Sequence, residues 1–245
     1  MDIVVVKNYH AMSLAGAQLA ADQIKKKKSS LLGLATGNTM IGLYRELVHL
    51  NHAKLISFSK TKTVNLDEFV GLDKAHRGSL FYFMRKHFFD KVDLDSKNVF
   101  FLDTEATDPK KECNEYEAMI KKMGPVDLQF LGIGENGHIA WCEPGISFKS
   151  KTSVIKLTLK SRRAQQGNFA SLREVPQLGY TMGLSTIMQA KKIVLMVSGK
   201  KKAKILAKAL SGKITEDVPA SILQRHLNLT VILDEEAASA LKKKK

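Results

Sequence analysis

The chain has 245 residues, 44% of them hydrophobic, which is enough for one large domain or two small ones with a full core. No apolar run approaches the roughly 20 residues that a membrane helix needs, and residues 1–6 lack the basic-then-apolar order of a signal peptide. The two cysteines, Cys113 and Cys142, argue against a structural disulfide. The composition therefore predicts a cytoplasmic protein with no membrane partner.

The net charge of +15 comes largely from lysine clusters at 25–28, 200–202 and 242–245. These lysines lie near predicted helix ends or at the end of the chain, where cations complement the helix dipole. No arginine-rich helix and no alternation of aromatic and basic residues accompanies them. We expect a solvated surface that helps to attract an anionic substrate, and no nucleic-acid partner.

Short apolar runs alternate with amphipathic stretches along the whole chain. The predicted strands are 3–7, 31–36, 61–66, 99–102, 128–133, 153–157, 193–198 and 229–233. The predicted helices are 11–28, 40–49, 80–90, 109–123, 181–189, 201–210 and 220–225. Asp108 followed by Pro109 is typical of a helix start, and Gly212 of a helix end.

Repeated β-α-β order predicts an α/β protein with a Rossmann-like parallel sheet and helices on both faces, in a single domain over 1–245. Most of the strands are continuous apolar runs, as expected of strands covered on both sides. The stretch 160–179 is polar and weakly periodic. A mobile flap and an ordinary long connection both fit it.

The run from Leu31 passes through Thr36, Gly37, Asn38 and Thr39 directly into a predicted helix. A helix N-terminus offers unpaired N–H groups and a positive dipole end, and Thr39 adds a hydroxyl, which together suit a phosphate. An ordinary helix cap by Asn38 or Thr39 fits the same residues. No Gly-Lys-Ser/Thr follows, so this is not a Walker loop.

A second predicted strand ends in two adjacent carboxylates, Asp67 and Glu68. Because successive side chains of a strand point to opposite faces, only one of them can face a given cleft. A lysine at 202, just after the predicted strand 193–198, can reach toward a phosphate in the same cleft, although a single lysine is more often a surface residue.

The stretch with the most candidate functional residues runs from Gly132 through His138 to Glu143 and follows the apolar run 126–133. Its three glycines let the backbone turn sharply and approach a ligand closely. A histidine and a carboxylate at the end of such a strand suit proton transfer rather than metal binding. Cys142 has no context typical of a nucleophile. His76, in the loop after Asp67, is a candidate for the border of the pocket.

These motifs resemble the glucosamine-6-phosphate deaminases, in a superfamily that also contains 6-phosphogluconolactonases. The resemblance covers most of the chain: Gly33-Leu-Ala-Thr-Gly-Asn-Thr, Asn65-Leu-Asp-Glu-Phe-Val-Gly-Leu, Gly132-Ile-Gly-Glu-Asn-Gly-His-Ile-Ala-Trp-Cys-Glu-Pro and Val197-Ser-Gly-Lys-Lys-Lys-Ala. It implies a single α/β domain, a hexosamine phosphate as small-molecule partner, no cofactor and no metal. It leaves a homo-oligomer open.

The resemblance also implies roles. Asp67 moves a proton between C2 and C1 of the opened sugar, and His138, supported by Glu143 and Asn136, opens the ring. Thr36, Gly37, Asn38, Thr39, Gly137 and Lys202 hold the substrate and its phosphate. The implied enzyme is an ammonia-releasing, aldose–ketose-isomerising deaminase, which we class with the hydrolases.

Several positions depart from the family pattern. Asn136 stands where Asp is common, and Asn38 and Met40 replace Gly or Ser and Pro. A family arginine of the flap falls on Gly167, and Arg162, Arg163 or Arg173 could compensate for it. Basic residues of an allosteric site are missing around 153–156, and we expect no activation by an amino-sugar phosphate.

Three alternatives remain at this stage. A galactosamine-6-phosphate isomerase/deaminase would have nearly the same sequence. A 6-phosphogluconolactonase would share the Gly-x-Gly-x-x-Gly-His turn, but Glu143-Pro144 and the Asn65–Glu68 stretch favour the deaminases. A non-catalytic phosphosugar sensor would keep the fold without turnover, although the acid and base residues here look intact.

Overall fold

The computed structural model describes residues 1–241, and the lysine cluster at 242–245 lies outside the described residues. The strands are β1 Asp2–Val6, β2 Leu31–Leu34, β3 Lys62–Asn65, β4 Asp67–Phe69, β5 Val99–Phe100, β6 Leu128–Leu131, β7 Ser153–Lys156, β8 Leu178–Thr181, β9 Ile193–Val197 and β10 Leu229–Asp234. The α-helices are α1 Tyr9–Lys26, α2 Asn38–His52, α3 Leu80–His87, α4 Pro109–Met123, α5 Leu159–Gln165, α6 Leu184–Ile187, α7 Ala203–Ser211 and α8 Glu235–Ala238.

The main sheet has seven strands in the order β1-β10-β9-β6-β2-β3-β5, and the neighbouring strands are all parallel. The predicted α/β class with a parallel sheet flanked by helices is confirmed. After β2 the chain adds β3 and β5 on one side of it. It then adds β6 on the other side of β2, followed by β9 and β10, and β10 pairs with β1, the first strand of the chain. The strand order therefore reverses between β2 and β6, and a crevice opens at their carboxyl ends, where α/β proteins bind ligands.

A second sheet, β4-β8-β7, is antiparallel and was not predicted. The predicted strand 153–157 belongs to this sheet and not to the parallel one. The predicted helix 181–189 is wrong at its start, because Thr181 ends β8 and the helix there covers only Leu184–Ile187. In β8 the absence of a side chain at Gly179 makes room for Trp141, whose ring lies 2.5 Å from where a Cβ would stand. The conformation of β8 therefore depends on its packing against a residue distant in sequence, Trp141, and not on local hydrophobic periodicity.

The stretch 160–179 is more ordered than its polarity suggested, since it contains most of α5, a short 3₁₀ turn at Gln166–Asn168 and the start of β8. The predicted helix 220–225 is a 3₁₀ helix, Pro219–Arg225. The predicted helix start at Asp108 and the predicted helix end at Gly212 are both confirmed. Asp108 accepts hydrogen bonds from the N–H groups of Lys110 and Lys111, and α7 ends at Gly212.

Burial follows position in the sheet. All residues of β9 and β10 are buried, so these central strands are covered on both faces. The edge strand β1 differs: its residues Ile3, Val4 and Val5 are 44%, 40% and 51% exposed. The expectation that the apolar strands are covered on both sides is therefore wrong for β1. The single domain over 1–245 stays a prediction.

Candidate active site

The loop after β2 enters α2 without a side-chain cap among the described residues, and Gly37 occupies the cap position with φ of +97°. The alternative in which Asn38 or Thr39 caps the helix is therefore not what the structure has. The Met40 N–H donates to the Gly37 carbonyl oxygen at 2.9 Å, whereas the N–H groups of Asn38 and Thr39 have no acceptor among the described residues and stay available to a ligand. Lys202 reaches this turn from the end of β9, with Nζ 3.4 Å from Oγ1 of Thr39, and its burial lowers the pKa of the ammonium group.

Asp67 begins β4, which pairs with β8 so that Asp67 lies opposite Thr181. Its Oδ1 accepts hydrogen bonds from the Thr181 hydroxyl at 2.7 Å and from the Trp141 N–H at 2.9 Å. Burial raises the pKa of Asp67 to about 7, against the lowering effect of these two bonds and of the nearby His138 ring. A carboxylate with such a pKa can both take and return a proton near neutral pH.

Glu68 points away from Asp67, as the strand alternation predicts. It accepts hydrogen bonds from the N–H groups of Phe69, Leu80 and Phe81 and from the hydroxyl of Ser79, which is the N-cap of α3. The carboxylate therefore fixes β4 to the positive end of α3. This structural role was not predicted from the sequence, because alternation alone gives no signal for it.

The loop after β6 holds His138. Gly134 must be a glycine here, because a Cβ would stand 2.2 Å from the imidazole ring. The ring lies beside Glu143, with 3.7 Å between Nδ1 and Oε1, which is a distance for an ion pair and too long for a hydrogen bond. The side chains of His138 and Glu143 are 28% and 17% exposed, so both are shielded in part from water.

Glu143 is held from two sides. The Asn136 amide donates to Oε2 at 2.6 Å, and the Ser161 hydroxyl on α5 donates to Oε1. Burial alone would raise the pKa of Glu143, but His138, Ser161 and Asn136 together bring it down to about 2. The side chain of Asn136 thus orients Glu143, whereas the sequence led us to expect that it supports His138 directly. Among residues 1–241, the Oδ1 atom of Asn136 accepts only from the His138 backbone N–H, at 3.3 Å.

A cavity of about 470 Å³ lies in the crevice between the carboxyl ends of β2 and β6. Among its lining residues are Thr36, Gly37, Asn38, Thr39, Asp67, Asn136, His138 and Lys202. Glu143 and Gly137 do not line the cavity. The carbonyl of the buried Gly137 accepts a hydrogen bond from the Ala220 N–H at 2.9 Å, and φ of +92° suits it to the turn.

The contribution of α5 was not predicted from the sequence. This helix covers one side of the cavity with Lys160, Gln165 and the following Asn168. Lys160 approaches Glu135 to 3.6 Å. None of the three arginines that could compensate for Gly167 lines the cavity. Arg162 donates to the carbonyl oxygens of Leu172 and Val175.

Two further candidates do not belong to the site. Cys142 is buried, burial raises the pKa of its thiol to about 12, and it does not line the cavity. His76 stacks on Phe169 with ring centroids 4.9 Å apart and is also absent from the lining.

A larger cavity of about 640 Å³ near the ends of α1 and α2 is bordered by lysines, and its carboxylate, Asp93, already accepts three hydrogen bonds.

The fold and this crevice define an α/β protein with an acid–base cavity at a topological switch point. The family model of glucosamine-6-phosphate isomerases/6-phosphogluconolactonase matches residues 8–232. A glucosamine-6-phosphate deaminase of Clostridium botulinum strain Kyoto is 44% identical over 241 residues, covering 98% of this chain and 99% of the relative. The chain therefore belongs to the family of glucosamine-6-phosphate isomerases and 6-phosphogluconolactonases.

Solved structures agree. A monomeric glucosamine-6-phosphate deaminase superposes with a TM-score of 0.95 at 42% identity, covering 98% of this chain and all of the other. A 6-phosphogluconolactonase from Leishmania guyanensis superposes with a TM-score of 0.76 at 21% identity and 99% coverage of both chains, a likeness that shows the fold alone. The hydrolase class expected from the sequence is not supported, because the relatives that match this chain over its whole length are described as deaminases. No helix in residues 1–241 is long and apolar enough to span a membrane.

Proposed function

We propose that this protein is an amino-sugar-phosphate deaminase that converts glucosamine 6-phosphate, or its galacto epimer, to the ketohexose 6-phosphate and ammonia. The observation that carries the proposal is the position of Asp67. Its carboxylate, with a pKa raised by burial to about 7, faces the same cavity as His138 and the open N-terminus of α2. A group that suits a phosphate, the N-terminus of α2, and two acid–base groups, Asp67 and His138, therefore line one pocket.

The phosphate lies against the first turn of α2, where Thr36, Gly37, Asn38 and Thr39 offer backbone N–H groups and hydroxyls. Lys202 supplies the positive charge, because its ammonium group already lies within 3.4 Å of the Thr39 hydroxyl. This anchor places the sugar carbons toward Asp67 and His138. Lys160 on α5 adds a second cation at the wall of the cavity.

Ring opening needs a group that takes the proton from the C1 hydroxyl and gives one to the ring oxygen. An imidazole can both accept and donate a proton, and His138 faces the cavity. Glu143, ionised because its pKa is about 2, stabilises the imidazolium that forms for a moment. Asn136 and Ser161 hold that carboxylate in place.

Asp67 then removes the proton from C2 of the open-chain sugar while the C1 oxygen is protonated, which gives an enolamine. Returning the proton to C1 moves the double bond to the C2–N position and gives an imine. Water adds at C2, ammonia leaves, and the ketose phosphate remains. A cavity covered by α5 limits side reactions of the enolamine.

The relatives that resemble this chain over its whole length are described as acting on glucosamine 6-phosphate, and this favours the gluco substrate. We further propose a cytoplasmic enzyme that acts without a nucleic-acid partner.

Ammonia release from glucosamine 6-phosphate and galactosamine 6-phosphate, measured side by side at equal concentration, tests the proposal. We expect release from at least one, with a preference for the gluco form. Hydrolysis of 6-phosphogluconolactone without ammonia release from either amino sugar would establish the lactonase instead. Tight binding of either sugar phosphate without turnover would establish a sensor.

A further inference from the structure

The base Asp67 has one occupied and one free oxygen. Both hydrogen bonds to its carboxylate, from Thr181 and from the Trp141 N–H, go to Oδ1. Among residues 1–241 no hydrogen bond reaches Oδ2, although Asp67 is only 8% exposed and lines the cavity. The two oxygens of this carboxylate are therefore not equivalent.

The direction of the Thr181 hydroxyl follows from its neighbours. The Trp141 N–H can only donate, and it lies 3.0 Å from Oγ1 of Thr181, so that oxygen accepts there. The single hydroxyl hydrogen then points to Oδ1 of Asp67 at 2.7 Å, since the next acceptor, the carbonyl oxygen of Met182, is 3.5 Å away. Thr181 is fully buried and does not line the cavity, so substrate does not contact it.

We propose that Thr181 is a positioning residue that holds Oδ1 of Asp67, leaves Oδ2 as the oxygen that takes the proton from C2, and favours the ionised form of the carboxylate. This inference rests on the proposed function, because it assumes that Asp67 is the base. It also explains what the antiparallel sheet contributes to the site, since the β4–β8 pairing sets Asp67 opposite Thr181.

Other charges act on the same carboxylate. The titratable groups that interact electrostatically with Asp67 are His138 on the loop after β6, Glu68 on β4, Tyr116 on α4, and Cys142. Lys202, Lys160 and Glu135 line the same cavity. A change at Thr181 leaves all of these in place, so that a shift in the titration of Asp67 reports the lost hydroxyl.

The test compares Thr181→Val with Thr181→Ser and the matched control Thr63→Val. Thr63 is also a fully buried strand threonine, but its hydroxyl has no hydrogen-bond partner in the described part of the chain. The readout is the dependence of kcat and KM on pH. Thr181→Val removes a donor to the ionised form, so the acidic limb of kcat moves up by about one pH unit or more. Turnover then falls about tenfold at neutral pH and recovers at higher pH, whereas KM stays the same.

Thr181→Ser keeps the hydroxyl and restores the wild-type midpoint, and Thr63→Val does not move it. A midpoint unchanged in Thr181→Val, or an equal loss at every pH, overturns the inference. If Thr181→Val does not fold by circular dichroism, Thr181→Cys replaces it, and its weaker donor predicts a smaller shift in the same direction.

A measurement without turnover separates this inference from the proposed function. In protein labelled with ¹³C at the aspartate carboxyl carbons, Asp67→Asn identifies the Asp67 signal, and titration gives its pKa. We expect that pKa to be higher in Thr181→Val than in wild type; an equal value overturns the inference. Absence of ammonia release by the wild type would refute the proposed function and leave this titration valid.

Discussion

The side-chain amide of Asn136 donates a hydrogen bond of 2.6 Å to Oε2 of Glu143. Because an amide donates where a carboxylate could only accept, Glu143 stays ionised without competing with a second negative charge. The neighbouring imidazole of His138 therefore faces one carboxylate, 3.7 Å from its Nδ1. An aspartate at position 136, which is common in the family, would create a different pair.

Asn136→Asp places two carboxylates against each other, and this raises the pKa of the new aspartate in the folded state. Stability that is present while this group is protonated is lost as the pH rises through that raised pKa. We expect the variant to match wild type near about pH 4 and to lose about 1–3 kcal/mol by about pH 8. Denaturant unfolding at several pH values measures this.

Asn136→Ser is the control for that series, because it removes the amide without adding a charge. Its loss of stability relative to wild type should stay nearly constant with pH. A constant difference for Asn136→Asp as well would show that the two carboxylates do not interact.

His138→Gln removes the group proposed to open the ring. General acid–base catalysis contributes about 10²–10⁴-fold, so kcat on the cyclic substrate should fall by about that factor, with a changed pH–rate profile. The matched control is His76→Gln, since His76 stacks on Phe169 outside the cavity. An unchanged pH–rate profile in His138→Gln would contradict the role of this histidine.

Lys202→Met removes the cation at the proposed phosphate end. Because hydrogen bonds to charged groups are the stronger ones, KM for the sugar phosphate should rise about tenfold or more, and inhibition by inorganic phosphate should weaken in parallel. Lys201→Met is the matched control, because Lys201 is exposed and does not line the cavity. Equal effects of the two substitutions would mean that only the general positive field of this surface is being measured.

Asp67 carries a cost in stability. Burial raises its pKa to about 7 from an ordinary value of 3.8, so the stability present at low pH is lost as the pH rises through about 7. Asp67→Asn keeps an oxygen that accepts from Thr181 and Trp141 and removes the charge. The variant should equal wild type near about pH 4 and exceed it at about pH 8 by on the order of 1–3 kcal/mol.

Thermal or denaturant unfolding at both pH values checks this, with the exposed Asp2→Asn as the control that should show no such gain. A wild type more stable than Asp67→Asn at the higher pH would contradict a buried, costly carboxylate at this position.

The parallel sheet and the loops at its carboxyl edge could be predicted because continuous apolar runs such as those of β6 and β9 mark buried strands directly. Two short strands could not. Asp67–Phe69 carries two carboxylates, and Leu178–Thr181 contains a glycine, so neither has a typical strand composition. Their pairing joins residues that are 114 positions apart in sequence, Asp67 and Thr181. The bond of Ser161 to Glu143 and the bonds of Glu68 to the start of α3 were also missed, because neither periodicity nor a motif in the sequence marks them.

The most direct test of Asp67 as the base measures turnover and binding together in Asp67→Asn. Ammonia release from glucosamine 6-phosphate is compared with wild type, and binding of the same sugar phosphate is measured by calorimetry. We expect ammonia release to be lost while the dissociation constant stays within a few fold, because the phosphate anchor at α2 and Lys202 is untouched. Near-normal ammonia release by Asp67→Asn would contradict the role of Asp67 as the base.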